Sequence, residues 1–168
     1  LAVFALGNSS DAFLLLRARE AGLPVALLPL LWIVFHAVKA LSSMPGGALS
    51  DRVGRAPLIV AGWMVYAAVY LGFSTASRPL EIWLLFAAYG LFFGLTEGVE
   101  RAFIADLVPP DLRGTAFGIY HFVLGTAALP ASLLCGFLWQ AYSSAVALGT
   151  GAVLAGLASL LLLGMTRR

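Results

Sequence analysis

Gly47-Ala48-Leu49-Ser50-Asp51-Arg52-Val53-Gly54-Arg55 sets one acid and two arginines between two long apolar runs. The run before it ends in Pro45-Gly46-Gly47, and the run after it opens at Pro57. A short polar segment so placed is expected to be a tight loop between two membrane spans. Its glycines let the chain turn and let backbones come close. Asp51 is an acceptor suited to the positive N-terminus of a neighbouring helix. Arg52 and Arg55 mark the loop as cytoplasmic, because basic residues concentrate in loops on that side.

The rest of the chain agrees with a lipid environment. Of 168 residues 61% are hydrophobic and 11% charged, where a soluble domain carries about 25% charged residues. Mean hydropathy is +0.97. A net charge of +2 without a basic patch points away from nucleic acid. The single cysteine, Cys135, excludes an internal disulfide and a cysteine-built metal site. No cofactor is expected. The chain opens inside an apolar run at Leu1, without the charged, apolar and cleavage segments of a signal peptide. It is expected to be a piece of a longer protein.

A helical span needs about 20 apolar residues. Six stretches are expected to qualify: a first that runs to about residue 16, then residues 25–46, 57–75, 80–105, 112–137 and 141–165. Arg17, Arg19 and Arg78 fall on one side of this layout. Arg52, Arg55, Arg101, Arg113, Arg167 and Arg168 fall on the other, which makes that side cytoplasmic. Both termini are then expected to face the cytoplasm.

The opening stretch resembles the G-x-L-x-D-R-x-G-R loop of the major facilitator superfamily of secondary transporters. Ala56-Pro57 stand where that family usually adds another basic residue. A second polar segment, Asp106-Leu107-Val108-Pro109-Pro110-Asp111-Leu112-Arg113-Gly114, joins spans four and five on the same side. Its continuation Arg113-Gly114-Thr115-Ala116-Phe117-Gly118 is similar to an R-G-x-A-x-G element of the same family. Two motifs in the expected order are more specific than either alone, and the resemblance covers essentially the whole chain.

That resemblance implies an all-α integral membrane protein. Residues 1–168 would form a single six-span bundle, one half of a major-facilitator fold, itself a three-plus-three inverted repeat. The implied surroundings are a bacterial inner (plasma) membrane, its lipid bilayer and the other six-helix half. The Arg167-Arg168 tail and the abrupt start suggest the C-terminal half, though both halves carry related motifs. The implied role of Gly47, Asp51, Arg52, Gly54 and Arg55 is a conformational latch. Asp106, with Glu100 as the alternative, is the acid expected to meet Arg55. Many drug–proton antiporters of the family carry G-x-x-x-G-P in span five of their N-terminal half. Here Gly125 and Pro130 remain, but Leu129 replaces the second glycine, so the antiporter label does not follow.

Ionisable groups inside spans are costly in lipid and mark function. The first span carries Asn8 and Asp11, three apart and so on one helix face. They would either pack against a neighbouring helix or line the cavity that the first and fourth spans of each half form in the family. In span two Trp32, His36, Lys39 and Ser43 make one stripe. Lys39 either snorkels to the surface or faces the cavity. Span four places Gly90, Gly94, Glu97 and Arg101 on one stripe with Gly98 and Glu100 beside it. Glu97 precedes Arg101 by four, the favourable order for a helical ion pair. In span five Gly114, Gly118, His121 and Gly125 share a face expected to pack on a neighbour, and Pro130 is expected to kink the helix.

The function these features suggest is secondary active transport of a small solute by alternating access. Counting three acids against two bases within the spans, Lys39 and Arg101, leaves one acid over. Asp11 is the first choice and Glu97 the second for a proton carrier. A membrane enzyme acting on lipid or a small substrate is the rival, yet no H-E-x-x-H, G-x-S-x-G or paired-aspartate motif occurs. A half-size transporter working as a homodimer is a third reading. The substrate is not written in these residues.

Overall fold

Apolar runs of this length become long helices, and five of them are long and apolar enough to cross a membrane among the described residues. The computed structural model describes residues 1–166; Arg167 and Arg168, which counted toward orientation, lie outside them. Two short helices open the chain, α1 (Ala2–Gly7) and α2 (Ala12–Glu20). A 3-10 turn over Val25–Leu27 leads into α3 (Leu28–Val53), which is followed by α4 (Arg55–Thr75) and α5 (Pro79–Leu107). A second 3-10 turn over Pro110–Leu112 precedes α6 (Arg113–Ala141) and α7 (Ser144–Thr166).

The expected first span is therefore not one helix. It breaks at residues 8–11, where Asn8, Ser9 and Ser10 follow Gly7. Short polar side chains offer the backbone alternatives to the helical ladder, and glycine adds freedom. Backbone freed at membrane depth needs protein partners. The Ser10 N–H donates to Ser132 Oγ at 3.3 Å, and the Gly7 carbonyl accepts from the Tyr66 hydroxyl at 3.1 Å.

A second correction concerns the motif stretch. It is not a loop from residue 47 onward, because α3 runs through Pro45-Gly46-Gly47 to Val53. Proline removes one helical hydrogen bond. The neighbouring hydroxyls of Ser42 and Ser43 bond back to the Val38 and Lys39 carbonyls, both at 2.6 Å. Gly46 is pressed on α5, where an added Cβ would lie 2.8 Å from the Gly94 carbonyl. The turn contracts to Gly54, whose φ of +90° disfavours any residue with a side chain. Arg55 already begins α4.

The core is aromatic. Tyr66, Tyr70, Phe73, Phe86 and Tyr89 are almost wholly buried where α3, α4 and α5 meet. Phe4 stacks on Trp63 with centroids 4.7 Å apart, which ties α1 to α4. Helices α3 and α5 cross through glycine. A Cβ on Gly90 would reach the Phe35 carbonyl, and one on Gly94 would sit 2.7 Å from the Lys39 carbonyl. Overpacking such a crossing costs about 1–3 kcal/mol. Gly94→Ala is thus expected to lower the thermal midpoint of the complete protein in detergent. Gly98→Ala, with open space around it, is expected to leave the midpoint unchanged.

The two ends of the bundle are distinct. At one end Arg17 Nε donates to the Phe73 carbonyl at 2.9 Å and its Nη2 to the Ala76 carbonyl, so a cation from α2 caps the C-terminus of α4. Arg78 opens α5 at this same end. Arg55 and Arg113 lie at the other end, beside Asp106 and the Ala105 carbonyl.

The third correction falls on α6. Gly114, Gly118 and Gly125 meet nothing within 4 Å, and His121 is exposed. A side chain added at any of these three glycines would meet open space among the described residues. The helix continues through Pro130 without interruption.

Candidate functional site

Three ionisable residues of the helices, Lys39, Glu97 and Arg101, come together between α3 and α5. Lys39, one helical turn from His36 on α3, reaches Glu97 on α5 and forms an ion pair with its Oε2. The other oxygen of Glu97 accepts from Arg101 at 2.8 Å, the four-residue pair read from spacing. Lys39 also lies 5.0 Å from the centroid of Phe93. This three-member chain spans the glycine crossing of α3 and α5. The close backbones bring a lysine of one helix to a glutamate of the next. The side chains of Lys39 and Glu97 keep 29% and 33% exposure, so they border an open space.

The other two acids have no cation within ion-pair distance among the described residues. Asp11, at the N-terminus of α2, accepts from the Tyr89 hydroxyl at 2.6 Å. Glu100 accepts from Trp63 Nε1 at 2.8 Å and from the Tyr120 hydroxyl at 3.0 Å, joining α4, α5 and α6. The pairing count thus changes. Two cations converge on one acid, and two acids are held by neutral donors. Glu100, rather than Glu97, stands beside Asp11 as a carboxylate without a counter-ion.

Asn8 completes the set. Its Oδ1 lies 3.2 Å from the Tyr66 hydroxyl, which also faces the Gly7 carbonyl. A phenol carries one proton, so Tyr66 satisfies one of these acceptors at a time. A groove of about 170 Å³ joins Asn8 to Glu97, Glu100, Arg101, Tyr120 and His121. His36 is exposed and stands edge-on to Trp32 and Phe35, with centroids 5.4 and 4.8 Å away.

The motif residues form a separate cluster at one end. Arg55 Nε pairs with Asp106 Oδ2 at 2.6 Å, linking the start of α4 to the end of α5. Of the two acids expected to meet Arg55, Asp106 is the one in place. Asp51 and Arg52 lie exposed in the last turn of α3, and neither makes an ion pair among the described residues. Gly47, Asp51 and Arg55 line a cleft of about 390 Å³ together with Ser43, Glu97, Gly98 and Arg101. The cleft runs from the motif to the charged chain on α5.

Four residues of this site escape a reading by ionisable groups: Trp63, Tyr66, Tyr89 and Tyr120. Their signal is a hydroxyl or indole N–H inside an apolar run, because such a group needs a partner when buried.

Comparison with known proteins shows the family. The profile of the Major Facilitator Superfamily matches residues 1–168. An uncharacterized MFS-type transporter of Methanocaldococcus jannaschii is 39% identical over 96% of this chain. The chain spans 42% of that relative's length. Multidrug resistance protein MdtH of Escherichia coli is 32% identical over 65% of this chain, which spans 27% of it. With its apolar helices and this match along its whole length, the chain is a multi-pass integral membrane protein that belongs to the Major Facilitator Superfamily of transporters.

Proposed function

We propose that the complete protein is a secondary active transporter that moves a small solute by alternating access, coupled to protons, and not an enzyme. This chain then supplies one six-span half, with the interrupted first segment counted as a span and the six arranged as a three-plus-three inverted repeat. Both termini face the cytoplasm of a bacterial inner membrane. The other half closes the cavity. Gly47, Asp51, Arg52, Gly54, Arg55 and Asp106 form the latch at the cytoplasmic face. Asn8, Asp11, His36, Lys39, Glu97, Glu100 and Arg101 form the path for substrate or protons.

One observation carries this reading. Asn8 of the first segment and Glu97, Glu100 and Arg101 of α5 line one groove, Lys39 of α3 pairs with Glu97, and among the described residues neither Asp11 nor Glu100 has a cation within ion-pair distance. A packed structural core has no use for such an arrangement, while a carrier of protons and solute does. The bare glycine face of α6 supports a further bundle beside it.

The test is flux through the complete protein in proteoliposomes with an imposed proton gradient. The name of the E. coli relative puts drugs first in the solute panel. A solute flux that rises several-fold with the gradient and collapses with an uncoupler is the expected result. Solute flux that ignores the gradient would remove the proton from the proposal.

A further inference from the structure

We propose that Tyr89 is the positioning residue for Asp11: its hydroxyl sets the pH at which Asp11 loads a proton, and it couples that event to α5. The inference rests on the reading of Asp11 as a proton carrier.

Tyr89 has 0% exposure. Its ring lies against Phe35 of α3 at 5.3 Å and edge-on to Phe93 at 5.0 Å, so its direction is fixed. Its hydroxyl donates across from α5 to Asp11, at 2.6 Å. A charged carboxylate only accepts, so with Asp11 ionised the phenol must be the donor. A hydrogen bond of that polarity favours the charged form.

Two neighbouring hydroxyls give the cluster a second arrangement. Ser9 Oγ and the Tyr70 hydroxyl are buried and make no hydrogen bond among the described residues. Such orphans in an otherwise satisfied core need a reason. The Tyr70 ring lies 6.1 Å from that of Tyr89 and stacks on that of Tyr66 at 4.2 Å, which brings its hydroxyl toward Tyr66, Ser9 and Tyr89. When Asp11 takes up a proton, its new O–H must find an acceptor, and Tyr89 Oη is already beside it. Tyr89 then turns its own proton to Tyr70, and Tyr70 passes its donor to Ser9. One proton is added to a carboxylate oxygen, no covalent bond to carbon changes, and the bond between Tyr89 and Asp11 reverses its direction. The orphans of the ionised state become the acceptors of the protonated state. The row runs from α5 through α4 to the break between α1 and α2, so the charge on Asp11 is felt where the first segment is interrupted.

The other groups around Asp11 do not do this. His36 and Lys39 on α3 contribute positive charge at its carboxyl. Tyr66 on α4 donates to Gly7 or Asn8 and stacks on Tyr70, and it makes no bond to Asp11 among the described residues. Cys135 on α6 faces Ser9. Helix α7 carries no ionisable residue.

Infrared spectroscopy of the complete protein in lipid tests this without a known substrate. The carbonyl band of a protonated carboxyl is followed with pH and assigned to Asp11 by its loss in Asp11→Asn. Tyr89→Phe keeps the ring and removes the donor. It is expected to move the midpoint to higher pH by about 1–2 units, the worth of one hydrogen bond to a charged group. Tyr70→Phe removes the acceptor of the protonated row and is expected to move the midpoint the other way. Opposite shifts cannot come from general loosening. An Asp11 band that titrates and ignores both variants overturns the inference alone. If no titrating band disappears in Asp11→Asn, the carrier reading fails, and this inference with it.

Discussion

Glu97→Gln is expected to stop transport and to loosen the contact between α3 and α5. The carboxylate holds Lys39 with one oxygen and Arg101 with the other. Glutamine has the same shape, so the glycine crossing beneath it stays filled. It offers one acceptor in place of two and turns an NH₂ group toward a cation. Two positive charges are then left in a partly apolar groove. Breaking a fully buried pair costs about 3–5 kcal/mol. Here the Glu97 side chain is 33% exposed and Arg101 52%, so solvent screening reduces the loss to the order of 1–3 kcal/mol. Adding Lys39→Met removes one stranded cation. The double variant is expected to regain stability without regaining transport. Thermal midpoints and flux for both single variants and the double separate the two effects. Wild-type stability together with full transport in Glu97→Gln would show the chain of charges to be incidental.

The spacing rules that found Glu97 and Arg101 also explain what they missed. A four-residue interval is local, so the helix alone decides it, and the pair is in place. Lys39 and Glu97 are on different helices. Their meeting depends on how closely α3 and α5 approach, and Gly90 and Gly94 set that distance. Pairing by counting charges had no access to this, so it left one spare acid, with Asp11 the first choice and Glu97 the second. In the fold Glu100 is spare as well, because Trp63 and Tyr120 reach it across long sequence separations. Aromatic residues in an apolar run look like core, and most of them here are core. Their polar ends declare a partner only once the helices are placed.

Helix boundaries were legible to the extent that hydropathy decides them. The runs that became α4, α5 and α7 contain no competing signal between their ends. Glycine and proline misled at residues 45–47. They are turn formers in solution, but inside lipid a helix is the cheapest way to satisfy the backbone. Ser42 and Ser43 accompany the gap left by Pro45, and Gly46 is needed for contact with α5 rather than for turning. The reverse error occurred at residues 8–11. An apolar run suggested continuity there, while three short polar residues, of which Asn8 and Ser10 meet hydroxyls on α4 and α6, favoured a break. The α6 glycines were read as a contact face. Among the described residues a Cβ at these positions would meet nothing, and periodicity alone cannot say which element such a face meets.

Asp51→Asn is expected to shift the balance between inward- and outward-open forms while leaving this half as stable as before. Asp51 sits in the last turn of α3, where the helix dipole disfavours an acid and favours the neighbouring Arg52. It has no ion pair within the chain among the described residues. On the proposed latch reading its partner lies outside this chain, and the N-terminus of a helix in the other half would have the right sign. Neutralising Asp51 therefore takes nothing from the fold of this half and removes one contact of the closed form. Asp106→Asn is the contrast. It breaks the pair with Arg55 inside the half, and with Asp106 53% exposed the loss stays below about 1 kcal/mol. Ser43 lines the same cleft as Asp51 and is exposed. A cysteine placed there by Ser43→Cys, in a Cys135→Ala background, reports whether the cleft is open to a membrane-impermeant maleimide. Asp51→Asn is expected to change the labelling rate about three- to tenfold, which corresponds to a shift of roughly 1 kcal/mol between the two forms. Asp106→Asn is expected to change it less. Labelling and transport both equal to the parent in Asp51→Asn would take Asp51 out of the latch and leave Arg55 and Asp106 as a bond within one half.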